Sequence, residues 1–189
     1  MGMKKIKLSL LLLFMAIASM AQQQAPVIKQ GSTVGYTLKL HGQQVAFALT
    51  VTRLSDSVIL DWKVRNTTTG TYVMLPKAVS KANRLSFVQP EPDTKVVLPP
   101  DQTFFFISKT AFQNLLQKRS FEYDNTIYDL QNNGEATTMT VDGKTLNLLH
   151  VVARNETTQY WILNNPDLPL ICRITGNPLE VDMEINSLK

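Results

Sequence analysis

Alternation with a period of two is the feature that most limits what this chain can fold into. In residues 44–54, Val45, Phe47, Leu49 and Val51 alternate with Ala46, Ala48, Thr50 and Thr52. In residues 58–65, Val58, Leu60, Trp62 and Val64 alternate with Ile59, Asp61, Lys63 and Arg65. Successive side chains of a strand point to opposite faces, so this split suits antiparallel strands with one face packed and one in water. Residues 33–41 form a plausible preceding strand, with His41-Gly42 as the hairpin turn.

The same period runs through the rest of the chain, with two interruptions. Pro76 opens a short helix carrying Ala78, Val79, Ala82 and Leu85 at helical spacing. Ser108 is a good N-cap for a second, in which Phe112, Leu115 and Leu116 share a face. Between them, prolines bracket Val96-Val97-Leu98, a short edge strand. Residues 103–107 hold Phe104, Phe105 and Phe106, which suits a central strand covered on both sides. The C-terminal third is a meander: a long strand at 121–130, a turn at 132–134, and a hairpin around Asp142-Gly143. Strands at 157–163, 170–175 and 179–185 follow, the last two joined through Gly176-Asn177-Pro178. The expected fold is all-β and mainly antiparallel, a curved half-barrel or open sandwich of about nine or ten strands with two short helices.

The first 21 residues suggest an export leader. Lys4, Lys5 and Lys7 precede an apolar run over residues 10–17, and Ser19 and Ala21 stand at the spacing of a signal-peptidase site. A membrane-spanning helix needs about 20 apolar residues, and this run is less than half that. The expected organisation is a signal peptide at 1–21, a flexible lead-in at 22–30 and a single β-rich domain at 31–189, periplasmic or secreted. Removing the three leader lysines from 19 basic residues leaves 16 against 15 acidic ones, so the basic balance of the chain belongs largely to the leader. Nucleic-acid binding needs clustered cations, and the densest surviving pair is Lys118-Arg119. Cys172 is the single cysteine, within the apolar run Leu170-Ile171-Cys172-Arg173-Ile174, and suits a buried core position.

The ending carries a resemblance. Tyr160-Trp161-Ile162-Leu163, a polar turn, Pro169-Leu170-Ile171, Arg173-Ile174 and the strand over 181–185 resemble the closing hairpins of exported bacterial β-proteins of unknown function. Those are similar in pattern to the half-barrel periplasmic lipoprotein carriers of the LolA/LolB type. The stretch from Gly70 through the Ser108 helix is similar to uncharacterised exported proteins of Gram-negative bacteria. The resemblance implies a curved antiparallel sheet with helices on one face, and no particular chemistry. Cysteine is missing near the leader, so there is no lipidation signal of the LolB kind.

Catalytic signatures are sparse. The chain has no HExxH, no CxxC, no Gly-x-Ser-x-Gly elbow and no Gly-rich phosphate loop. His41 sits beside a turn glycine. His150 alternates with Leu148 and Val152, so it is expected to face the core side or a groove. It would serve as a general base only with an orienting carboxylate, for which Asp124 and Asp129 are the candidates. Glu122 and Asp124 share a strand face at i, i+2, which suits a solvated polar row better than a glycosidase pair. Aromatics are the stronger lead: Trp62, Phe112, Tyr160 and Trp161 are the candidate ligand-binding residues, able to floor an apolar pocket or stack on rings. Asn66-Thr67-Thr68, Asn155-Glu156-Thr157 and Asp56-Ser57-Val58 match glycosylation patterns and mark exposed turns. The favoured expectation is an exported, non-catalytic binding or envelope-associated module for an apolar or amphiphilic ligand, with no cofactor, no metal and no nucleic-acid partner. The alternatives are a structural domain that binds another envelope protein, and a hydrolase using His150.

Overall fold

The computed structural model describes residues 28–65, 67–88, 91–131 and 137–189. The expected leader and most of the lead-in lie outside these residues, as do Asn66 and the expected turn at 132–134. Among the described residues the chain forms fourteen strands and two helices. These are β1 (Thr33–Leu40), β2 (Gln43–Leu54), β3 (Val58–Val64), β4 (Thr68–Met74), α1 (Pro76–Lys81), β5 (Arg84–Leu85), β6 (Lys95–Val97) and β7 (Gln102–Thr103). They continue with α2 (Lys109–Lys118), β8 (Ser120–Tyr123), β9 (Thr126–Leu130), β10 (Thr137–Val141), β11 (Lys144–Ala153), β12 (Gln159–Leu163), β13 (Ile171–Thr175) and β14 (Val181–Leu188).

Twelve strands make one large sheet in the order β6-β4-β3-β2-β1-β14-β13-β12-β11-β9-β8, with β10 beside β9 on the same flank of β11. The sheet is antiparallel except at its β4–β6 edge, and it does not close. β5 and β7 form a separate parallel pair. Two features help raise the strand count above the expected nine or ten. The stretch at 121–130 is a hairpin, because Asp124 and Asn125 both adopt positive φ and make a two-residue turn. The same backbone signature closes the β1–β2 and β10–β11 hairpins at His41-Gly42 and Asp142-Gly143. The other is the separate β5–β7 pair.

The three phenylalanines also depart from the sequence expectation. They do not extend β7 into a central strand. Phe105 turns the chain with φ of 61°, and only Phe106 makes a bridge, to Leu170. A left-handed conformation costs a residue with a β-carbon roughly 1–2 kcal/mol. Here it is held by aromatic packing. Phe105 stacks on Phe47 at 5.2 Å and meets Tyr36 edge-on at 4.8 Å. The effect is to drive an aromatic wedge against the inner face of the sheet.

Register places the core. Val34, Tyr36 and Leu38 of β1 lie opposite Leu49, Phe47 and Val45 of β2, and Leu49 in turn lies opposite Trp62 of β3. A shift at Gly35/Tyr36 keeps Ile185 and Leu188 of β14 on the same inner face. Ile28, inside the expected lead-in, is buried with this core. β13 and β14 pair through only two residue pairs, Arg173 with Glu184 and Ile174 with Met183. Beyond that seam the C-terminal end of β14 reaches the β10–β11 turn: the Leu188 amide donates to Asp142 Oδ2 at 2.8 Å, and Lys144 Nζ donates to the Leu188 carbonyl at 3.0 Å. Four ladder steps of about 4.8 Å would hold these strands roughly 19 Å apart in a flat sheet. The end of β14 therefore lies against the β10–β11 turn, closer than the strand order alone implies.

Candidate functional site

Beside the Phe104-Phe105 wedge, toward the Val181–Met183 end of β14, lies a cavity of about 420 Å³. Its floor is the inner face of four strands: Leu38 and Leu40 from β1, Phe47 from β2, Ile171 and Ile174 from β13, and Val181 and Met183 from β14. The registers Leu38–Met183, Leu40–Val181 and Ile174–Met183 put most of these side chains on one contiguous patch. Phe104 and Phe105 form one wall, and the segment Leu85, Ser86, Phe87, Val88 passes over the opening. Of the fourteen described residues that line it, twelve are apolar; the exceptions are His41 and Ser86. Phe87 and Val88 are 38% and 53% exposed, so the opening carries apolar surface into water.

The rim has one polar fixture. His41 Nδ1 lies 3.0 Å from Glu180 Oε2, and the His41 amide donates to the Glu180 carbonyl at 3.3 Å. Both residues adopt positive φ, so two turns meet there. Their side chains are 76% and 72% exposed, and a pair so wet adds little to stability.

Ser86, Phe87 and Val88 also border a second cavity, of about 380 Å³, whose polar residues include Asp124, Glu156, Tyr128, Thr158 and Tyr160. Its groups are largely satisfied. Both Asp124 oxygens accept from the Leu85 amide at 3.2 Å, and Tyr128 donates to the Tyr160 hydroxyl at 3.0 Å. Burial pushes the Asp124 carboxyl above the usual carboxylate range, opposed by the Leu85 hydrogen bond and Arg84. Burial likewise raises the Tyr128 hydroxyl to about 12.

None of the four candidate aromatics lines the apolar cavity. Trp62 is fully buried beside Tyr72. Its indole fills the space above Gly70, where an added β-carbon would stand 2.4 Å from the ring. Phe112 is buried in the core by α2. Tyr160 faces inward and stacks on Tyr128 at 4.6 Å, at the second cavity. Trp161 faces outward, and both faces of its ring are taken by cross-strand neighbours: His150 of β11 stacks on it at 4.3 Å, and the Arg173 guanidinium of β13 lies 4.8 Å from its centroid. No ring face is left for a ligand.

His150 therefore stands on the outer face, not on the core side or in a groove. Its Nε2 meets Gln159 Oε1 at 2.8 Å. Asp129 commits both carboxylate oxygens to Arg154, at 2.8 and 3.0 Å, and this pairing holds its carboxyl below the usual range. Asp124 is at the second cavity. Glu122 is exposed on β8, and no pairing with Asp124 is formed across the turn. Cys172 is buried, and burial raises its thiol to about 12. Among the described residues, no group of three or more His, Cys, Asp and Glu converges as a metal site, and no helix is long and apolar enough to cross a membrane.

The residues that build the cavity went unmarked in the sequence because six separate segments supply them. The one local signal was the Phe104-Phe105-Phe106 run, and its turn at Phe105 is invisible to periodicity. Comparison with protein-family models, curated proteins and solved structures finds no match to this chain.

Proposed function

We propose that this is a non-catalytic binding module that holds an apolar or amphiphilic ligand in the cavity between the sheet and the Phe104-Phe105 wedge. The observation that carries this reading is the 420 Å³ apolar space itself. Small-molecule sites measure about 300–1,000 Å³ and are lined mainly by apolar side chains with a few placed polar groups. What sets this space apart is its almost wholly apolar lining beside an aromatic in a costly backbone conformation, a combination that points to an apolar occupant. The sheet acts as a half-barrel whose concave side receives the ligand, in keeping with the LolA/LolB-like pattern of the closing strands. The leader-like first 21 residues favour an exported protein working in the envelope or beyond it. A hydrolase reading has nothing comparable behind it, since His150 is paired with a neutral amide and stacked on an indole.

Native mass spectrometry and thermal-shift measurement on purified protein, against lipid extracts, test this. A bound species of lipid mass, or a rise in melting temperature with extract, is the expected result. Protein that flies empty and melts at the same temperature with every fraction contradicts it.

A further inference from the structure

Only two buried side-chain polar atoms among the described residues have no hydrogen-bond partner, Trp62 Nε1 and Ser86 Oγ. Trp62 is not part of the apolar cavity's wall, whereas Ser86 borders both that cavity and the one beside Asp124 and Glu156. Ser86 is 6% exposed. Its amide is used, donating to the Thr103 carbonyl at 2.8 Å, but its hydroxyl is left over. A buried hydroxyl without a partner costs free energy that a bound acceptor restores.

The charges around Ser86 decide what that acceptor is. Among the described residues no lysine or arginine lines the apolar cavity, and His41, at its rim, already meets Glu180. At the second cavity that Ser86 borders stand the carboxylates of Asp124 and Glu156. Arg84, a basic group bordering that cavity, faces Asp101 at 3.8 Å. An anionic headgroup drawn to Ser86 would be desolvated without a countercharge and would approach two carboxylates, both unfavourable.

Building on the binding function proposed above, we infer that the ligand is a single-chain amphiphile with an uncharged oxygen headgroup, an ester, ketone or alcohol, whose oxygen accepts from Ser86 Oγ while its chain fills the cavity. Since about 150 Å³ accommodates one benzene ring, this volume suits a chain of roughly 10–16 carbons.

Methyl decanoate labelled with ¹³C at its carbonyl, and decanoate at pH 8, are the probes, measured by displacement of the uncharged dye N-phenyl-1-naphthylamine. Three results are expected. The ester binds more tightly than the anion by at least about tenfold. Its bound carbonyl band falls to lower wavenumber than in hexane, as a hydrogen-bonded carbonyl does. Ser86→Ala weakens the ester by about 3- to 10-fold, the range of one net hydrogen bond, and leaves the dye, which has no oxygen, within twofold. The infrared band is read on the unaltered protein, so it decides the matter even if the variant does not fold. A carbonyl band unchanged from hexane, or decanoate binding as tightly as the ester, overturns the inference while leaving the cavity as a site. Failure of the dye itself to bind overturns the binding function and this inference with it.

Discussion

The two ends of the interior are built from similar side chains and finished differently. At the β8–β9 end, Phe121 stacks on Tyr128 at 5.3 Å and Tyr128 on Tyr160 at 4.6 Å. Each hydroxyl there has a partner: Tyr128 bonds Tyr160, while Tyr123 meets Thr103 Oγ1 at 2.7 Å and receives the Ser108 amide at 3.2 Å. Ser108 in turn donates to the Ala82 carbonyl at 2.6 Å and accepts from Ala111, so one hydroxyl ties α1 to the start of α2. At the β1–β14 end, Tyr36, Phe47, Phe104 and Phe105 also pack ring on ring. Phe47, Phe104 and Phe105 border the apolar cavity, and Phe105 holds a left-handed backbone; Tyr128 and Tyr160 border a second cavity of about 380 Å³, and Ser86, with its unpaired hydroxyl, lines both. Aromatic content thus does not tell the two cavities apart. What differs is the lining: carboxylates and paired hydroxyls border the cavity at the β8–β9 end, apolar side chains almost alone border the other, and Phe87 and Val88 are shared between them.

Substitutions can break this contrast. The largest effect is expected from Tyr160→Ala. It removes the buried ring that stacks on Tyr128 and should cost about 3–5 kcal/mol in urea unfolding, as large aromatic truncations do; a cost below about 1 kcal/mol would show that the ring stack carries little. Tyr160→Phe keeps the ring and removes only the acceptor of Tyr128, so about 1–2 kcal/mol is expected. At the apolar cavity, enlarging a side chain should be nearly free. Leu38→Trp, half-buried at the cavity floor, is expected within about 1 kcal/mol of the parent, whereas an added bulk of this kind in a filled core costs about 1–3 kcal/mol. Unfolding midpoints of the two variants compared side by side sharpen the distinction.

The smallest effect depends on pH. Burial raises the Asp124 carboxyl in the folded protein, so folding favours its protonated form. The stability it contributes is complete below the unfolded carboxylate range and is lost as pH rises through the folded value. Asn at 124 stays neutral, tolerates the positive φ of 52° found there, and keeps an acceptor for the Leu85 amide. Asp124→Asn should therefore melt no lower than the parent at pH 7, with an advantage that shrinks toward pH 3. A variant less stable at pH 7 than at pH 3, relative to the parent, would contradict this sign.

Local pattern carried much of the fold. Alternation placed β2 and β3, Pro76 and Ser108 opened the two helices as expected, and His41-Gly42 and Asp142-Gly143 marked their hairpins. The Asp124-Asn125 turn was missed because it uses two side-chain-bearing residues at positive φ where a glycine is the usual signal. The Phe104-Phe105-Phe106 run was misjudged because apolar continuity suits a central strand equally well, and only tertiary packing at Phe47 and Tyr36 settles Phe105 into its turn. The cavity lay beyond sequence reading altogether. Leu38, Phe47, Phe105, Ile174 and Met183 are ordinary core residues one by one, and the space among them is assembled from segments far apart in the chain. The tryptophans drew attention for their size, yet one is packed on a glycine and the other is sandwiched between neighbours.

Titration of N-phenyl-1-naphthylamine into the parent protein and into Leu38→Trp tests the apolar cavity most directly. One equivalent of dye bound by the parent, with binding lost in a Leu38→Trp variant that melts near the parent temperature, is the result expected of a preformed apolar site. Equal binding by both proteins, or none by the parent, would contradict it.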